Sequence, residues 1–82
     1  MENPTQNSNF SIKDLYLAAL IYAKGVKLET VTRQGKSCWF VFRDKRVCEV
    51  YQKKFFAKEV EVNAKDYSDA IRTLKDLVFS GN

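Results

Sequence analysis

The chain has 82 residues and a net charge of +4, with 45% apolar and 29% charged residues. This length predicts one domain, and the apolar content excludes global disorder. The longest uncharged apolar stretch, 15–23, is far shorter than the about 20 residues of a membrane-spanning helix. The polar start of the chain has no secretory signal pattern, so we expect a cytoplasmic protein that contacts no membrane.

The first elements in chain order are a polar tail and a helix. Residues 1–9 are rich in Asn, Gln, Ser and Pro, which predicts a disordered tail before a single domain at 10–82. Ser11 has the residue type of a helix N-cap and predicts a first helix that runs to Lys24. Gly25 then provides the left-handed residue that commonly ends a helix.

Apolar residues occupy nearly the whole circumference of this first helix, which predicts burial on two sides. Either the sheet and the last helix enclose it completely, or part of its surface is the interface of a homodimer. The candidate interface residues are large side chains outside its main stripe, namely Tyr16, Leu17, Leu20 and Ile21.

A β-hairpin is predicted next, with strands at 26–32 and 37–42 and a two-residue turn at Gln34-Gly35. Its second strand has apolar residues at consecutive positions, so both of its faces are apolar. A strand of this kind is central in its sheet or covered on both faces.

Two helices with a short strand between them complete the predicted domain. Asp44 is expected to cap a second helix that ends near Phe55, and Asn63 to cap the last helix, which Gly81 ends. Charged and apolar residues alternate over 58–62, which predicts a half-exposed strand. The predicted fold is therefore α+β in the order α-β-β-α-β-α, with a small, mainly antiparallel sheet packed by helices.

The residue types that catalysis needs are largely missing. The chain has no His to activate a nucleophile or to complete a metal site, and Cys38 and Cys48 fit best as small buried apolar residues. The three Gly residues are isolated, so no loop is suited to a bound phosphate. We therefore expect no enzymatic activity, no catalytic residue, no metal and no cofactor.

The charge is unevenly distributed along the chain. Residues 24–58 contain ten Lys and Arg against three acidic residues, and the aromatic residues Trp39, Phe40 and Phe42 lie among them. Cations that neutralise phosphates and rings that stack on bases are the elements of a nucleic-acid interface. The candidate contacts are basic residues of the hairpin and the second helix, namely Arg33, Lys36, Arg43, Arg46, Lys53 and Lys54.

Two functions fit these patterns. The first is a non-enzymatic accessory module that binds a protein partner or a second copy of itself, because the first helix carries surplus apolar surface. The alternative is a small basic nucleic-acid-binding protein that uses the hairpin and the second helix within 24–58. Which basic residues share a face depends on the hairpin register and on the packing of the second helix.

Several segments also resemble a known family. They are Phe10 with Asp14-Leu15-Tyr16-Leu17-Ala18-Ala19, then Ala23-Lys24-Gly25, the strand Phe40-Val41-Phe42, and Ala70, Leu74 and Lys75 of the last helix. Together they resemble a small family of uncharacterised domains found in bacteria and phages, a domain of unknown function. The resemblance implies no activity and no binding residue, and it favours a phage-linked or mobile-element setting.

Overall fold

The computed structural model describes residues 9–80. Of the tail predicted at 1–9 only Asn9 falls within this range, and the helix end predicted at Gly81 lies outside it. The α+β class is confirmed, since the described residues form three helices and a three-stranded antiparallel sheet. The elements in chain order are β1 (Phe10–Ile12), α1 (Leu15–Ala23), β2 (Leu28–Gln34), β3 (Ser37–Phe42), α2 (Lys45–Phe56) and α3 (Ala64–Ser80).

The start of the domain differs from the prediction. Ser11 is an exposed residue of β1, which pairs with β3, and it is not a helix cap. Asp14 takes the capping role, because its Oδ1 accepts hydrogen bonds from the backbone N–H groups of Tyr16 at 2.8 Å and Leu17 at 3.2 Å. The three residues of β1 are in turn half-buried, exposed and buried. This period of two is that of a strand, and it outweighs the capping preference of Ser11.

The end of α1 is as predicted. Gly25 has a φ of +94°, and its N–H donates to the carbonyl oxygen of Tyr22 at 3.0 Å. The N–H of Val26 donates to the carbonyl oxygen of Ile21 at 3.3 Å. These two bonds form a Schellman motif, in which a left-handed residue lets the chain turn back over the last helical carbonyls.

The hairpin turn lies one residue later than predicted. Gln34 is opposite Ser37, so Gly35 and Lys36 are the turn residues, and Gly35 has a φ of +60°. Gly35 therefore supplies the positive φ at the first turn position and not at the second. A bulge before Thr30 shifts the register once more. β3 lies between β1 and β2, which confirms that it is the central strand.

The predicted caps of the two later helices are confirmed. The side chain of Asp44, itself at a φ of 64°, accepts a hydrogen bond from the N–H of Val47 at 3.5 Å at the start of α2. At the start of α3, Oδ1 of Asn63 accepts one from the N–H of Asp66 at 3.0 Å. The apolar residues of α3 pack against the core, and Leu74 is fully buried.

The strand predicted at 58–62 is absent. Residues 59–63 have no regular secondary structure, although the two valines are half-buried and the two glutamates are exposed, as the alternation indicates. The valines pack against the core, but the segment pairs with none of the described strands. The order of elements is therefore β-α-β-β-α-α, which moves the shortest strand from between α2 and α3 to the start of the domain.

Helix α1 is the centre of the core. Residues 17–21 are at most 1% exposed, so the middle of the helix is enclosed on all sides, and both other helices contact α1. The predicted homodimer interface is wrong for Leu17, Leu20 and Ile21, because burial within the chain removes these side chains from the surface. Tyr16, at 55% exposure, is the one candidate of the four that solvent reaches.

Side chains alternate between the two faces of the sheet. Ile12, Phe40 and Phe42 lie on the face that the helices cover, and all three are buried. The other face carries exposed or half-buried side chains, so none of the described helices covers it. We call this surface the open sheet face and define it by Ser11, Thr30, Thr32, Trp39 and Val41.

Candidate functional site

Trp39 is the aromatic residue of the open sheet face and lies on its central strand. It is half-buried, whereas Phe40 and Phe42 are 2% and 0% exposed, so only Trp39 among the aromatic residues of β3 reaches solvent. Thr32 is directly opposite on β2, and the other members of the face are small or aliphatic. An indole among such short side chains offers an accessible apolar ring surface to a flat ligand.

Lys13 lies beside this ring. Its Nζ atom is 5.7 Å from the centroid of the Trp39 ring, within the range of a cation–π contact. The pairing of Ile12 with Phe40 brings the next residue, Lys13, next to Trp39. Such a contact contributes only about 0.5–1 kcal/mol at an exposed site. The ammonium group can therefore move from the ring to a bound anion at little energetic cost.

Arg43 flanks the same face at the other end of β3. Its Nε forms an ion pair with the carboxylate of Glu29 on β2, and its side chain is 59% exposed. Side chains alternate along a strand, so Arg43 follows Trp39 and Val41 on the open side. Because Glu29 is engaged by Arg43, its carboxylate repels an approaching anion less than a free acid would.

The predicted nucleic-acid contacts do not form one surface. Arg43 borders the open sheet face, and Lys36 lies in the hairpin turn. Arg33 points to the helix side, where its Nη2 donates a hydrogen bond to the carbonyl oxygen of Val78 at 2.7 Å. That bond joins the hairpin to α3, so Arg33 has a structural role.

Helix α2 carries the remaining three predicted contacts. Arg46, Lys53 and Lys54 are all exposed on it. Val47 and Val50 are also exposed, at 37% and 47%. The outer side of α2 is thus basic with two aliphatic side chains, and it is separate from the open sheet face.

A pocket of about 420 Å³ lies between the hairpin turn and the last turns of α3, on the helix side of the sheet. This volume is in the range of small-ligand pockets, about 300–1,000 Å³. No acidic residue is among its described lining residues. We call it the lysine pocket. Its lining consists of Lys13, Lys36 and Lys75, of Ser37 and Cys38, and of an apolar floor formed by Leu15, Phe40, Val78 and Phe79.

Sequence reasoning missed Lys13 and Lys75 because neither lies in the basic segment 24–58. Lys13 directly follows a strand that was predicted to be helical, and Lys75 belongs to the polar face of α3. Only the packing of the hairpin against α3 brings them to Lys36. The one available signal was the position of Lys75 and Val78 at helical spacing near the end of α3.

The thiol of Cys48 is fully buried, and its Sγ donates a hydrogen bond to the carbonyl oxygen of Arg43 at 3.4 Å. Burial raises the pKa of Cys48 to about 11, with smaller contributions from Asp44 and Glu49. A thiol with this pKa is protonated at neutral pH and is not a nucleophile. The interpretation of Cys48 as a small buried apolar residue is confirmed.

Among residues 9–80, no group of three or more His, Cys, Asp or Glu residues is arranged to hold a metal ion. No helix in this range is long and apolar enough to cross a membrane. Residues 7–80 match a protein family, described as Domain of unknown function (DUF5659). The chain belongs to this family. The match spans every element of the DUF5659 domain from β1 to α3. Comparison with curated proteins and with solved structures gives no match.

Proposed function

We propose that this DUF5659 domain is a non-enzymatic module that binds single-stranded nucleic acid on its open sheet face. The observation that carries the proposal is an accessible tryptophan on the central strand of an uncovered sheet, with the Lys13 ammonium group 5.7 Å from its ring centroid. Stacking of a base on an aromatic side chain contributes about 1–3 kcal/mol and tolerates any base. Trp39 is the stacking residue in this arrangement.

The cations of the face fit the backbone of the same ligand. Lys13 is beside Trp39, and Arg43 directly follows β3, four residues after Trp39, which is about 13 Å at the rise of a strand. A strand of nucleic acid that stacks one base on Trp39 then passes a cation on either side. The net charge of +4 adds a long-range attraction for a polyanion.

The intrinsic fluorescence of the chain gives a direct test, because Trp39 is its single tryptophan. We expect a short oligothymidylate to quench this fluorescence saturably at low salt. If two phosphates are neutralised, the slope of log K against the logarithm of the salt concentration should be about −1.4, since each phosphate contact to a single strand contributes about −0.7. Titration without quenching, or binding that is insensitive to salt, contradicts the proposal.

Variants distinguish base stacking on Trp39 from a general electrostatic attraction between the chain and the nucleic acid. Trp39→Ala is expected to weaken binding of a labelled oligonucleotide, measured by fluorescence anisotropy, about tenfold or more. Trp39→Phe should retain part of the affinity, because a ring remains. The matched control is Phe56→Ala, which removes another exposed ring, 63% accessible, from α2. Equal losses in Trp39→Ala and Phe56→Ala would mean that the open sheet face is not the site.

A protein partner is the second candidate, and the outer side of α2 favours it. Val47 and Val50 are exposed there among basic side chains, which is a mixture typical of a surface for an acidic protein. With three of its predicted residues in the core, α1 no longer supports self-association. Light scattering on the purified chain tests whether the chain associates with itself through α2 instead. Val50→Glu should abolish a dimer of that kind without unfolding the domain.

The setting of the protein belongs to the same proposal. A module for single-stranded nucleic acid works where such strands are present, which fits the expected cytoplasmic location. A phage-linked or mobile-element setting also fits, because small basic accessory proteins are common there.

A further inference from the structure

We infer that the lysine pocket binds a small amphiphilic carboxylate, that is, an anion with a linear apolar body such as a medium-chain fatty acid. This inference goes beyond the proposed nucleic-acid binding, because the pocket lies on the helix side of the sheet and the nucleic-acid surface is the opposite side. Of the lysines and arginines named for the two surfaces, only Lys13 borders both.

The charges of the pocket select the sign of the ligand. Lys13, Lys36 and Lys75 line it, and no described acidic side chain does. Lys36 and Lys75 bring two positive charges to one cavity, and an anion bound there interacts favourably with both. A carboxylate accepts charge-assisted hydrogen bonds from such donors. Lys36 and Lys75 come from the hairpin turn and α3, so the anion would join two elements that Arg33 and Val78 already hold together.

The floor of the pocket selects the body of the ligand. Leu15, Phe40, Val78 and Phe79 are the apolar side chains that line the pocket, and Phe79 has 80% of its surface exposed. An exposed phenylalanine beside an apolar cavity gains burial when an alkyl chain fills the cavity. A free phosphate or a bare acetate would leave this floor in contact with water, so the apolar body is needed for binding.

The volume is consistent with one such ligand. A pocket of about 420 Å³ has room for a small organic molecule. The pocket is open to solvent, and Lys36 and Lys75 are exposed, so a carboxylate bound to them would remain partly hydrated. A macromolecular anion does not need the apolar floor, and this distinguishes the pocket from the open sheet face.

Titration of the ¹⁵N-labelled full chain with octanoate, followed by NMR, tests the inference. We expect saturable shifts confined to the amides of 13–15, 36–40 and 75–79. Octylamine, which has the same chain and the opposite charge, should give no such shifts, and acetate should bind at least tenfold more weakly. Shifts spread over the whole domain, or equal shifts with octylamine, would overturn the inference.

Paired variants keep the test independent of folding and of net charge. Lys36→Glu with Lys75→Glu changes two exposed residues, so the fold should persist, and octanoate affinity should fall about tenfold or more. The control is Lys53→Glu with Lys54→Glu on α2, which makes the same change of charge away from the pocket and should alter the affinity less than twofold. Phe79→Ala should also weaken octanoate, whereas Trp39→Ala should not. Equal loss in both double variants would mean that octanoate responds only to net charge.

Discussion

The phenol of Tyr67, in the first turn of α3, donates a hydrogen bond to the backbone carbonyl oxygen of Tyr16 in α1, at 3.0 Å and across 51 positions of sequence. Burial raises the pKa of Tyr67, and the nearby Asp14 and Tyr16 raise it further. Each of these effects favours the neutral phenol, which is the form that can donate this bond. The contact therefore joins the start of α3 to the start of α1.

Tyr67→Phe is expected to lower the free energy of unfolding by about 1 kcal/mol, because it removes this bond and keeps the ring. Urea denaturation measures the change. Tyr22→Phe, at an exposed tyrosine later in α1, is the control and should change the stability by less than about 0.5 kcal/mol.

The raised pKa of Tyr67 also gives a pH dependence. The folded chain holds the phenol proton more tightly than the unfolded chain, whose tyrosine has the ordinary pKa of 10.0. The contribution to stability is therefore complete below pH 10.0 and is lost as the pH rises through the higher folded-state pKa. Stability should fall less steeply in this alkaline range for Tyr67→Phe than for the original chain.

Because Leu17 is buried and Tyr16 is exposed, the same substitution should have effects of very different size at these two positions of α1. Leu17→Ala should lower the free energy of unfolding by about 2–5 kcal/mol, because it leaves a cavity in the core. Tyr16→Ala removes a side chain that is 55% exposed and should have a much smaller effect. Size-exclusion chromatography with urea denaturation checks both. If the original chain were a dimer and Leu17→Glu gave a folded monomer, the interface predicted from the sequence would be correct after all.

The identity of the α1 cap predicts different effects on stability for two polar residues near the start of the domain, Asp14 and Ser11. Asp14→Ala should destabilise the chain by about 1 kcal/mol, because two backbone N–H groups lose their acceptor. Ser11→Ala should stay within about 0.5 kcal/mol, since Ser11 is an exposed strand residue. Thermal denaturation of the two variants side by side measures the difference, and the reverse ranking would place the cap at Ser11.

The turn after helix α2 places a residue with a side chain in the left-handed backbone conformation. Lys58 has a φ of 62°, and Glu59 behind it donates to the carbonyl oxygen of Lys54 at 2.9 Å. This is the position that Gly25 occupies behind α1. A left-handed conformation costs a side-chain-bearing residue about 1–2 kcal/mol. Lys58→Gly should therefore stabilise the chain by up to about 1 kcal/mol, and Gly25→Ala should destabilise it by a similar amount.

The buried thiol of Cys48 should react only when the chain opens. Its pKa of about 11, against 9.0 for an ordinary thiol, leaves about a hundredfold less thiolate at mildly alkaline pH. Cys38 is half-buried and should react first with a thiol reagent such as dithionitrobenzoate. In urea both should react at similar rates. Fast reaction of Cys48 in the native chain would contradict its burial.

Local sequence signals predicted most of the secondary structure. Gly25, Asp44 and Asn63 act where their residue types indicate, because caps depend on a few neighbouring backbone groups. Ser11 misled the prediction because a strand of three residues is too short to show its period of two in sequence. The segment 58–62 has that period and is not a strand, since the alternation indicates which side chains face the core and not whether the backbone pairs with a neighbouring strand.

The candidate sites were less predictable because they depend on contacts between distant segments. Trp39 and Phe40 are both aromatic, so residue type does not indicate which of them faces the core. The pairing of β3 with β1 and β2 places Trp39 on the open side and Phe40 in the core. A shift of register by one residue would exchange them. Arg33 and Lys36 are close in sequence, yet one binds the carbonyl oxygen of Val78 and the other lines a pocket.

The pairing of β1 with β3 has a consequence for the order in which the domain assembles. The paired residues are 28 to 32 positions apart, from Ile12 with Phe40 to Phe10 with Phe42, whereas β2 and β3 meet across a two-residue turn. The hairpin needs only a short loop to close, so it is able to form before β1 docks. During synthesis β1 is unable to pair until β3 has left the ribosome. The same strand, three residues long and at the edge, should be the first part of the sheet to exchange its amide hydrogens.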